Sequence, residues 1–347
     1  EKGEHADDPE FLTAYLDEIL DIRILDLSCG SGAFLVSCFS RLQQEAESVH
    51  RKLQSAAEAG QMPLTFEGFG SKQREIVEES IHGNDILQEA LEISKLSVWV
   101  RSAREEVSLG DLSGNFTTQD ALAGEVVFGT DSGQRGFGDF DLVVGNPPWG
   151  GELSDEAQSW LAQEFPGFDT TELDTYELFT LVALEYLNDD GRLAFVLPQT
   201  LLRSDHDTVR QHLVENYTFE RYHLLGANWF GDEVNMNSTV LQLHADDPEP
   251  DERFQSVTLV EDERRRAIDG AVGLTQLEAA RSFEVPQQRC IDSGEIEPFR
   301  YVPDDRIIEQ MESSSIPLGA LCESNRGVEL GKAGDVIRCP GCARWTT

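Results

Sequence analysis

The sequence predicts an α/β fold with a doubly wound, Rossmann-like sheet. Two observations lead to this prediction. Short apolar segments alternate with amphipathic segments of helical periodicity between residues 22 and 244, which is the pattern of β-α-β units. Several of the predicted strands also end in a polar or glycine-containing turn, and open α/β sheets bind ligands at the carboxyl ends of their strands. One strand near the end of the sheet is expected to run antiparallel.

The elements of the first half follow from apolar spacing and from turn residues. In chain order they are a strand over residues 22–26, a glycine turn over 28–32, a helix from 33 to about 47, an insertion over about 50–70, a strand that ends at 82–85, a helix over 88–101 and a third strand that ends near residue 120. The helix over 88–101 carries Leu91, Ile93, Leu96 and Val100 at helical spacing.

The second half continues the alternation. It is predicted to contain a glycine-rich loop over residues 126–140, a strand over 140–144, a helix over 175–187, a turn over 188–191, a strand over 192–197, a helix over 207–217 and two closing strands over 219–225 and 238–244. The last of these strands is the one expected to be antiparallel. Beyond residue 245 the periodicity weakens, and the acidic, proline-containing segment 246–252 predicts a linker.

Composition limits the class of protein. The chain has 347 residues and a hydrophobic content of 39%, and no apolar run approaches the ~20 residues of a membrane span. We therefore expect a cytoplasmic protein without a membrane partner. Its net charge of −38, spread over the whole chain, repels nucleic acid in ordinary buffer. Because molar salt screens charges beyond about 3 Å, this acidic, lysine-poor composition indicates a protein from a halophile.

The most informative segment is the end of the strand over residues 140–144, where Asn146, Pro147, Pro148 and Trp149 follow a glycine. The two prolines fix their own φ angles and restrict the residue before each, so Asn146 is held in one pose at a strand end. An amide oxygen, a backbone carbonyl and an aromatic face suit a planar ring with an exocyclic NH2 group. The alternative is a proline-rich turn that closes a buried strand.

Three earlier strands end in candidate binding residues. The first is followed by a turn with Gly30 and Gly32, and glycines let the backbone approach a ligand closely. Leu35 stands where a dinucleotide fingerprint has its third small residue, so a smaller, cationic ligand suits this turn. Asp85 suits the hydroxyls of a ribose or a helix N-cap. Asp120 suits an adenine amino group or a turn.

The order of these motifs resembles that of the amino-methyltransferases that use S-adenosylmethionine. The chain is most similar to the adenine-N6 DNA methyltransferases of restriction-modification and phage-defence systems, in the subgroup whose cofactor motifs precede the catalytic motif. The resemblance covers about Arg23 to Leu243. It departs from the family in two places: residues 1–20 lack a Gly-aromatic-Thr-type segment, and Trp149 stands where Tyr or Phe is commoner.

The resemblance implies transfer of a methyl group from S-adenosylmethionine to the N6 amino group of a flipped adenine in double-stranded DNA, with restriction or defence-system subunits as further partners. The residues that it assigns to the cofactor are Asp26, Ser28, Gly30, Gly32, Asp85, Asp120 and Phe179. Asn146 and the Pro147 carbonyl would accept hydrogen bonds from the target amine beside Pro148. Trp149 and Phe230 would stack on the target base.

The resemblance also divides the chain. It implies a methyltransferase catalytic domain over residues 1–245, a linker or insertion over 246–316 and the start of a truncated target-recognition domain over 317–347. Cys339 and Cys342 form a Cys-x-x-Cys pair, which is half of a zinc site that further residues would complete; the alternative is two free loop thiols. Cytosine-N4 methylation, protein-glutamine methylation and a non-catalytic DNA-recognition subunit stay open as other functions.

Overall fold

The computed structural model describes residues 8–60, 69–103, 111–130, 133–202, 207–227, 229, 236–270 and 281–293, together with 337–338 and 345–346. The chain divides into two units, Glu1–Tyr301 and Val302–Thr347. The helices, numbered in chain order, are α1 (Pro9–Asp21), α2 (Ala33–Glu58), α3 (Phe69–Glu75), α4 (Gln88–Ser102), α5 (Asp155–Glu164), α6 (Thr175–Glu185), α7 (Asp207–Asn216), α8 (Glu261–Ile268) and α9 (Gln287–Ser293).

The strands of the first unit are β1 (Ile24–Asp26), β2 (Ile81–Asn84), β3 (Phe116–Thr117), β4 (Phe128–Thr130), β5 (Gly133–Arg135), β6 (Phe140–Gly145), β7 (Leu187–Pro198), β8 (Thr218–Gly226), β9 (Ser238–His244), β10 (Arg253–Thr258) and β11 (Ser282–Pro286). In the second unit the described residues form an antiparallel pair, β12 (Ile337–Arg338) and β13 (Trp345–Thr346). A π-helical turn over Ile76–Ser80 precedes β2, and a 3-10 turn over Gln199–Leu202 follows β7.

Nine strands form one sheet in the order β11-β10-β8-β9-β7-β6-β1-β2-β3. The strands from β7 to β3 in this order are parallel neighbours. β9 lies between β7 and β8 and pairs antiparallel with both. The predicted α/β fold with an antiparallel strand near the end of the sheet is therefore confirmed.

The sheet is covered by a hydrophobic core on each face. Ile24 and Val144 belong to one core, which includes buried residues of α1, α2 and α4, whereas Leu25 and Val143 belong to the other, which includes α5, α6 and α7. Successive side chains of a strand point to opposite faces, so neighbouring apolar residues serve different cores. This explains why the strands read as continuous apolar runs, as expected for a sheet buried on both sides.

Several predicted elements differ from the observed ones. α2 continues to Glu58, into the first part of the region predicted as an insertion, because Val49 and Leu53 extend its buried stripe. The predicted glycine-rich loop over residues 126–140 contains the β4-β5 hairpin. The predicted turn over 188–191 lies within β7, where the pairing with β6 shifts in register. The segment 246–316, expected as a linker or insertion, contributes β10 and β11 to the sheet.

The inward face of α4 also differs from the simplest expectation. Leu91 and Val98 are buried, whereas Ile93, Leu96 and Val100 are more than half exposed. The buried face, which also includes Ser94 and Ser102, and the exposed set both recur at spacings of three or four residues, so periodicity alone does not distinguish them.

The cysteines and helices agree with an ordinary folded domain. Cys29 and Cys290 are buried free thiols, and Cys38 is a partly buried one. Burial raises the pKa of Cys29 to about 12, so this thiol stays protonated and unreactive at neutral pH. Among the residues that the structure describes, no helix is long and apolar enough to cross a membrane.

Candidate functional site

The carboxyl ends of the parallel strands β6, β1, β2 and β3 meet at a cavity of about 320 Å³. This is the edge at which open α/β sheets bind ligands. The residues that line the cavity are Leu27, Ser28, Asn84, Asp85, Ile86, Gln119, Asp120, Ala121, Leu122, Asn146, Pro148, Gly151, Glu152, Leu153, Thr175 and Phe179. Six of the residues predicted from the sequence are in this set: Ser28, Asp85, Asp120, Asn146, Pro148 and Phe179.

The turn after β1 approaches the cavity through its backbone. The Ser28 amide donates a hydrogen bond of 3.1 Å to Asp26 Oδ1, and the Asp26 side chain is buried behind the cavity wall. Gly32 has a φ of 81°, and a Cβ there would collide with the Ser94 side chain on α4. Glycine is therefore required for α2 to begin this close to α4. Asp26, Gly30 and Gly32 support the wall but do not line the cavity.

Asp85 joins the turn after β1 to the start of α4. Its Oδ2 atom accepts a hydrogen bond from the Gly30 amide at 2.8 Å, and its Oδ1 atom accepts one from the Leu87 amide at 2.9 Å. Leu87, and not Asp85, is the N-cap residue of α4. A carboxylate has about four acceptor positions, so two of them are still available for the hydroxyls of a ligand.

Negative charge at this end of the sheet is uncompensated. Burial raises the pKa of Asp26 to about 7, the Ser28 amide opposes that rise, and the charge of Asp85 adds to it. Asp120 accepts a hydrogen bond from the Leu122 amide at 3.0 Å. Among the described residues, no Lys, Arg or His forms an ion pair with Asp26, Asp85 or Asp120. The wall therefore favours a positively charged ligand.

The loop after β6 is held by the start of α6. Thr175 Oγ1 donates to the Pro148 carbonyl at 2.9 Å and accepts from the Gly151 amide at 3.2 Å. Asp174 Oδ1 accepts from the Gly150 amide at 2.9 Å. The Asn146 side-chain oxygen is buried and accepts no hydrogen bond from the described residues. A buried acceptor without a partner costs about 1–3 kcal/mol, so this oxygen is suited to a hydrogen-bond donor of a ligand.

The remaining predicted residues have different surroundings. Phe179 is buried and lines the cavity. Pro147 is buried, and Trp149 is partly buried against the core that contains α6, outside the cavity lining. Phe230, Cys339 and Cys342 lie outside the described residues. Within the described part of the chain, no group of three or more His, Cys, Asp or Glu side chains is arranged to hold a metal ion.

Sequence reasoning missed several residues of the cavity, among them Asn84, Gln119, Glu152, Leu153 and Thr175. Most of these lie in loops whose paths depend on packing between distant segments. Asn84 carried a usable signal, because it stands immediately before Asp85 at the end of a strand. Thr175 carried a weaker signal. The sequence predicts that it begins a helix, but only the structure shows that this helix start lies beside the Asn146 loop.

Comparison with known proteins agrees with this arrangement. Residues 79–230 match the sequence model of the Eco57I restriction-modification methylase family. The matched segment contains Asp85, Asp120 and Asn146, whereas the glycine turn after β1 precedes it.

Two curated relatives are type II restriction enzymes and methyltransferases. The chain is 22% identical over 262 residues to the enzyme BcgI of Heyndrickxia coagulans, across 74% of this chain and 33% of the relative. It is 25% identical over 229 residues to the enzyme Eco57I of Escherichia coli, across 57% of this chain and 22% of the relative. The chain spans a third or less of the length of the curated relatives that it matches.

Solved structures share the fold. The type IIL restriction-modification enzyme MmeI, solved in complex with DNA, has a TM-score of 0.54 at 16% identity, with 73% of this chain and 35% of that chain covered. The type ISP enzyme LlaGI, solved with a DNA substrate mimic, has a TM-score of 0.55 at 15% identity, with 80% and 26% covered. Residues 79–230 of this chain are thus similar to the Eco57I-type restriction-modification methylases.

Proposed function

We propose that this protein is a DNA methyltransferase of a restriction-modification or phage-defence system, and that it transfers a methyl group from S-adenosylmethionine to the N6 amino group of adenine. The observation that carries the proposal is the Asn146 side-chain oxygen, which is buried and accepts no hydrogen bond from the described residues, in a cavity that Asp85 and Asp120 also line. A target amine would supply the hydrogen-bond donor that this oxygen lacks, and the carboxylates of Asp85 and Asp120 suit a positively charged nucleoside.

The residues of the cavity fit S-adenosylmethionine. Its volume of about 320 Å³ lies within the roughly 300–1,000 Å³ of small-molecule sites. Asp85 would accept from the ribose hydroxyls and Asp120 from the adenine amino group. Ser28 would lie beside the charged methionine part, with the Asp26 side chain buried behind it. Phe179 and Leu122 supply apolar wall. When bound, S-adenosylmethionine supplies an electrophilic methyl group on a positively charged sulfur.

The protein's own residues would act by positioning. Asn146 Oδ1 and the Pro147 carbonyl would each accept one hydrogen of the target amine, which orients the nitrogen lone pair and increases its reactivity. Thr175 fixes the loop through the Pro148 carbonyl, so the two acceptors keep one geometry. Because the reacting groups are already positioned, the activation barrier contains less entropy loss and less solvent reorganisation. No strong general base is needed before the nitrogen attacks.

The DNA substrate is proposed on chemical grounds and on the family. The target base would have to leave the duplex, at a cost of a few kcal/mol, and Trp149 and Phe230 would stack on it. The relatives MmeI and LlaGI were solved with DNA or a DNA mimic. Residues 317–347 would begin a target-recognition domain, in which Cys339 and Cys342 would be half of a zinc site.

The net charge of −38 makes DNA binding dependent on high salt, since only a short screening length removes the long-range repulsion. We therefore also propose that the protein works in molar salt, as in a halophile. Thermal unfolding in a series from 0.1 to 3 M KCl tests this part: the midpoint is expected to rise throughout the series. A midpoint that is independent of KCl contradicts it.

The reaction is tested in molar KCl with methyl-labelled S-adenosylmethionine and mixed-sequence DNA, followed by digestion and identification of the labelled nucleoside. Label in N6-methyladenine is the expected result. Label in N4-methylcytosine overturns the choice of base and keeps the amine chemistry. No label in DNA, with the cofactor bound, overturns the DNA methyltransferase and favours a protein-glutamine substrate or a non-catalytic recognition subunit.

A further inference from the structure

Asn84 is a buried amide at the carboxyl end of β2 with a complete set of hydrogen bonds. Its Nδ2 atom donates to the carbonyl of Leu27 and to the carbonyl of Gln119, each at 3.0 Å. Its Oδ1 atom accepts from Thr117 Oγ1 at 3.0 Å and from the Gln119 amide at 3.1 Å. A primary amide has two donors and two acceptor positions, so every one of them is used. The residue is 1% exposed.

These four bonds join three chain segments that carry the acidic side chains of the cavity. Leu27 lies between Asp26 and Ser28 after β1, and Gln119 precedes Asp120 after β3. Asn84 itself precedes Asp85. One side chain therefore fixes the spacing of three strand ends at the cavity wall.

The Asn84 side chain also suits this position because an amide carries no charge. Burial is the main cause of the raised pKa of Asp26, and repulsion between Asp26 and Asp85 adds to it. A carboxylate at position 84 would add a negative charge beside Asp85 and would direct an oxygen at the carbonyls of Leu27 and Gln119. Only an amide offers donors to those carbonyls and acceptors to Thr117 in the same volume.

We propose that Asn84 is a positioning residue for cofactor binding: it sets the distances among Asp26, Asp85 and Asp120, and its loss weakens the affinity for the adenosyl cofactor without removing a group that touches the target amine. The inference rests on the proposed function. It assigns to Asn84 a role that goes beyond stabilising the sheet.

The opposite end of the same strands offers a matched control. Asn115 precedes β3 and is 2% exposed. Its Nδ2 atom also donates to two backbone carbonyls, those of Glu78 at 2.7 Å and Ile81 at 3.0 Å. The substitutions Asn84→Asp and Asn115→Asp therefore replace the same donor by an oxygen that faces two carbonyls. They differ in which end of the sheet is affected.

The test measures, in 2 M KCl, the Kd of S-adenosylhomocysteine by calorimetry, the Tm, and kcat at saturating S-adenosylmethionine. Asn84→Asp is expected to raise Kd about tenfold or more, and Asn115→Asp to change it less than about twofold, with similar losses of Tm. The kcat of Asn84→Asp at saturation is expected to stay within about threefold of wild type, because the amine acceptors are intact. Equal changes of Kd in both variants, or wild-type Kd in Asn84→Asp, overturn the proposal.

A pair of less disruptive substitutions tests the proposal if Asn84→Asp does not fold. Thr117→Val removes only the hydroxyl that donates to Asn84, and Thr239→Val removes a buried hydroxyl that donates to the Leu197 carbonyl at 3.2 Å. Thr117→Val is expected to raise Kd about two- to tenfold, as for the loss of one neutral hydrogen bond, and Thr239→Val to leave it unchanged. An unchanged Kd in Thr117→Val overturns the proposal. A wild-type protein that binds no S-adenosylhomocysteine would instead overturn the proposed function.

Discussion

Acidic side chains at the two ends of the sheet differ in whether they are paired with cationic side chains. At the carboxyl end, Asp85 and Asp120 line the cavity and are bonded to backbone amides, with no cationic side chain paired to them among the described residues. At the amino end, a second cavity of about 480 Å³ is lined by three arginines and four acids. There Arg74 pairs with Glu78 at 2.8 Å.

A second ion pair strengthens the contrast, because Arg135 lies 3.6 Å from Glu79 and is largely shielded from solvent. The amino end therefore neutralises its own charge, whereas the carboxyl end leaves a negative potential at a preformed cavity. Side chains that already satisfy each other gain little from a ligand. The difference supports the proposal that the acids after β2 and β3 bind a cation, whereas the acids before β2 serve the fold.

The largest expected effect is that of Asn146→Ala at the carboxyl end. Removing one acceptor of the target amine should lower kcat by about 100-fold or more, because the Asn146 oxygen is buried and accepts no hydrogen bond from the described residues, whereas the Kd of S-adenosylhomocysteine should change less than about twofold. Single-turnover methyl transfer measures the rate, and calorimetry measures the Kd. An unaltered rate would remove Asn146 from the mechanism.

The next effect is on cofactor affinity. Asp85→Asn removes the charge and replaces one of the two acceptor oxygens by an NH2 group, and hydrogen bonds to charged groups contribute about 1.5–3 kcal/mol, so the Kd of S-adenosylmethionine should rise about 10- to 100-fold. The matched variant at the amino end is Glu79→Gln, which should leave the Kd unchanged. If the two substitutions weakened binding alike, the contrast between the ends would be lost.

A smaller effect concerns pH. Burial raises the pKa of Asp26 from 3.8 to about 7, so the folded protein holds this proton at pH values where the unfolded chain has released it. The contribution of Asp26 to stability is thus complete below about pH 4 and is lost as the pH rises through about 7. Asp26→Asn should abolish this fall.

Denaturant unfolding from pH 4 to 7 compares Asp26→Asn with wild type. The difference in unfolding free energy between the two proteins should change by a few kcal/mol over this window. His82 acts in the opposite direction, since burial lowers its pKa to about 3, but it is common to both proteins and cancels in the difference. A difference that is constant with pH would contradict the buried, protonated state of Asp26.

The smallest effect belongs to the amino end. Arg74 and Glu78 are 48% and 21% exposed, and pairs of this kind contribute less than about 1 kcal/mol. Arg74→Gln should therefore lower the Tm by only a few degrees and leave cofactor affinity and methyl transfer unchanged. If Arg74→Gln abolished cofactor binding, the binding site would lie at the amino end of the sheet, and the proposed site at the carboxyl end would be contradicted.

Much of the candidate site could be predicted because it follows strand ends. Asp85, Asp120 and Asn146 each come shortly after a strand, and the carboxyl ends of parallel strands meet at one edge of a sheet. The contact of Thr175 with Pro148 could not be predicted, since it depends on how α6 packs 27 residues along the chain. The roles assigned to Trp149 and Phe230 stay predictions.

The fold was predictable where apolar patterning was strong, and less so elsewhere. β9 was predicted over its observed residues because its apolar alternation is regular. β10 and β11 were missed, since β10 reads Arg-Phe-Gln-Ser-Val-Thr and buries Ser256 together with Phe254 and Val257. Pairing with β8 on one side and with β11 on the other stabilises this segment as a strand. Tertiary context, and not local propensity, determines these elements.

The most direct test of the central claim is a crystal structure of the protein grown with S-adenosylhomocysteine in molar KCl. The predicted result is ligand density in the cavity at the carboxyl end, with the ribose beside Asp85, the adenine beside Asp120 and the sulfur on the side of Asn146. Density in the arginine-lined cavity at the amino end, or an empty carboxyl-end cavity in crystals of the saturated protein, would contradict the account.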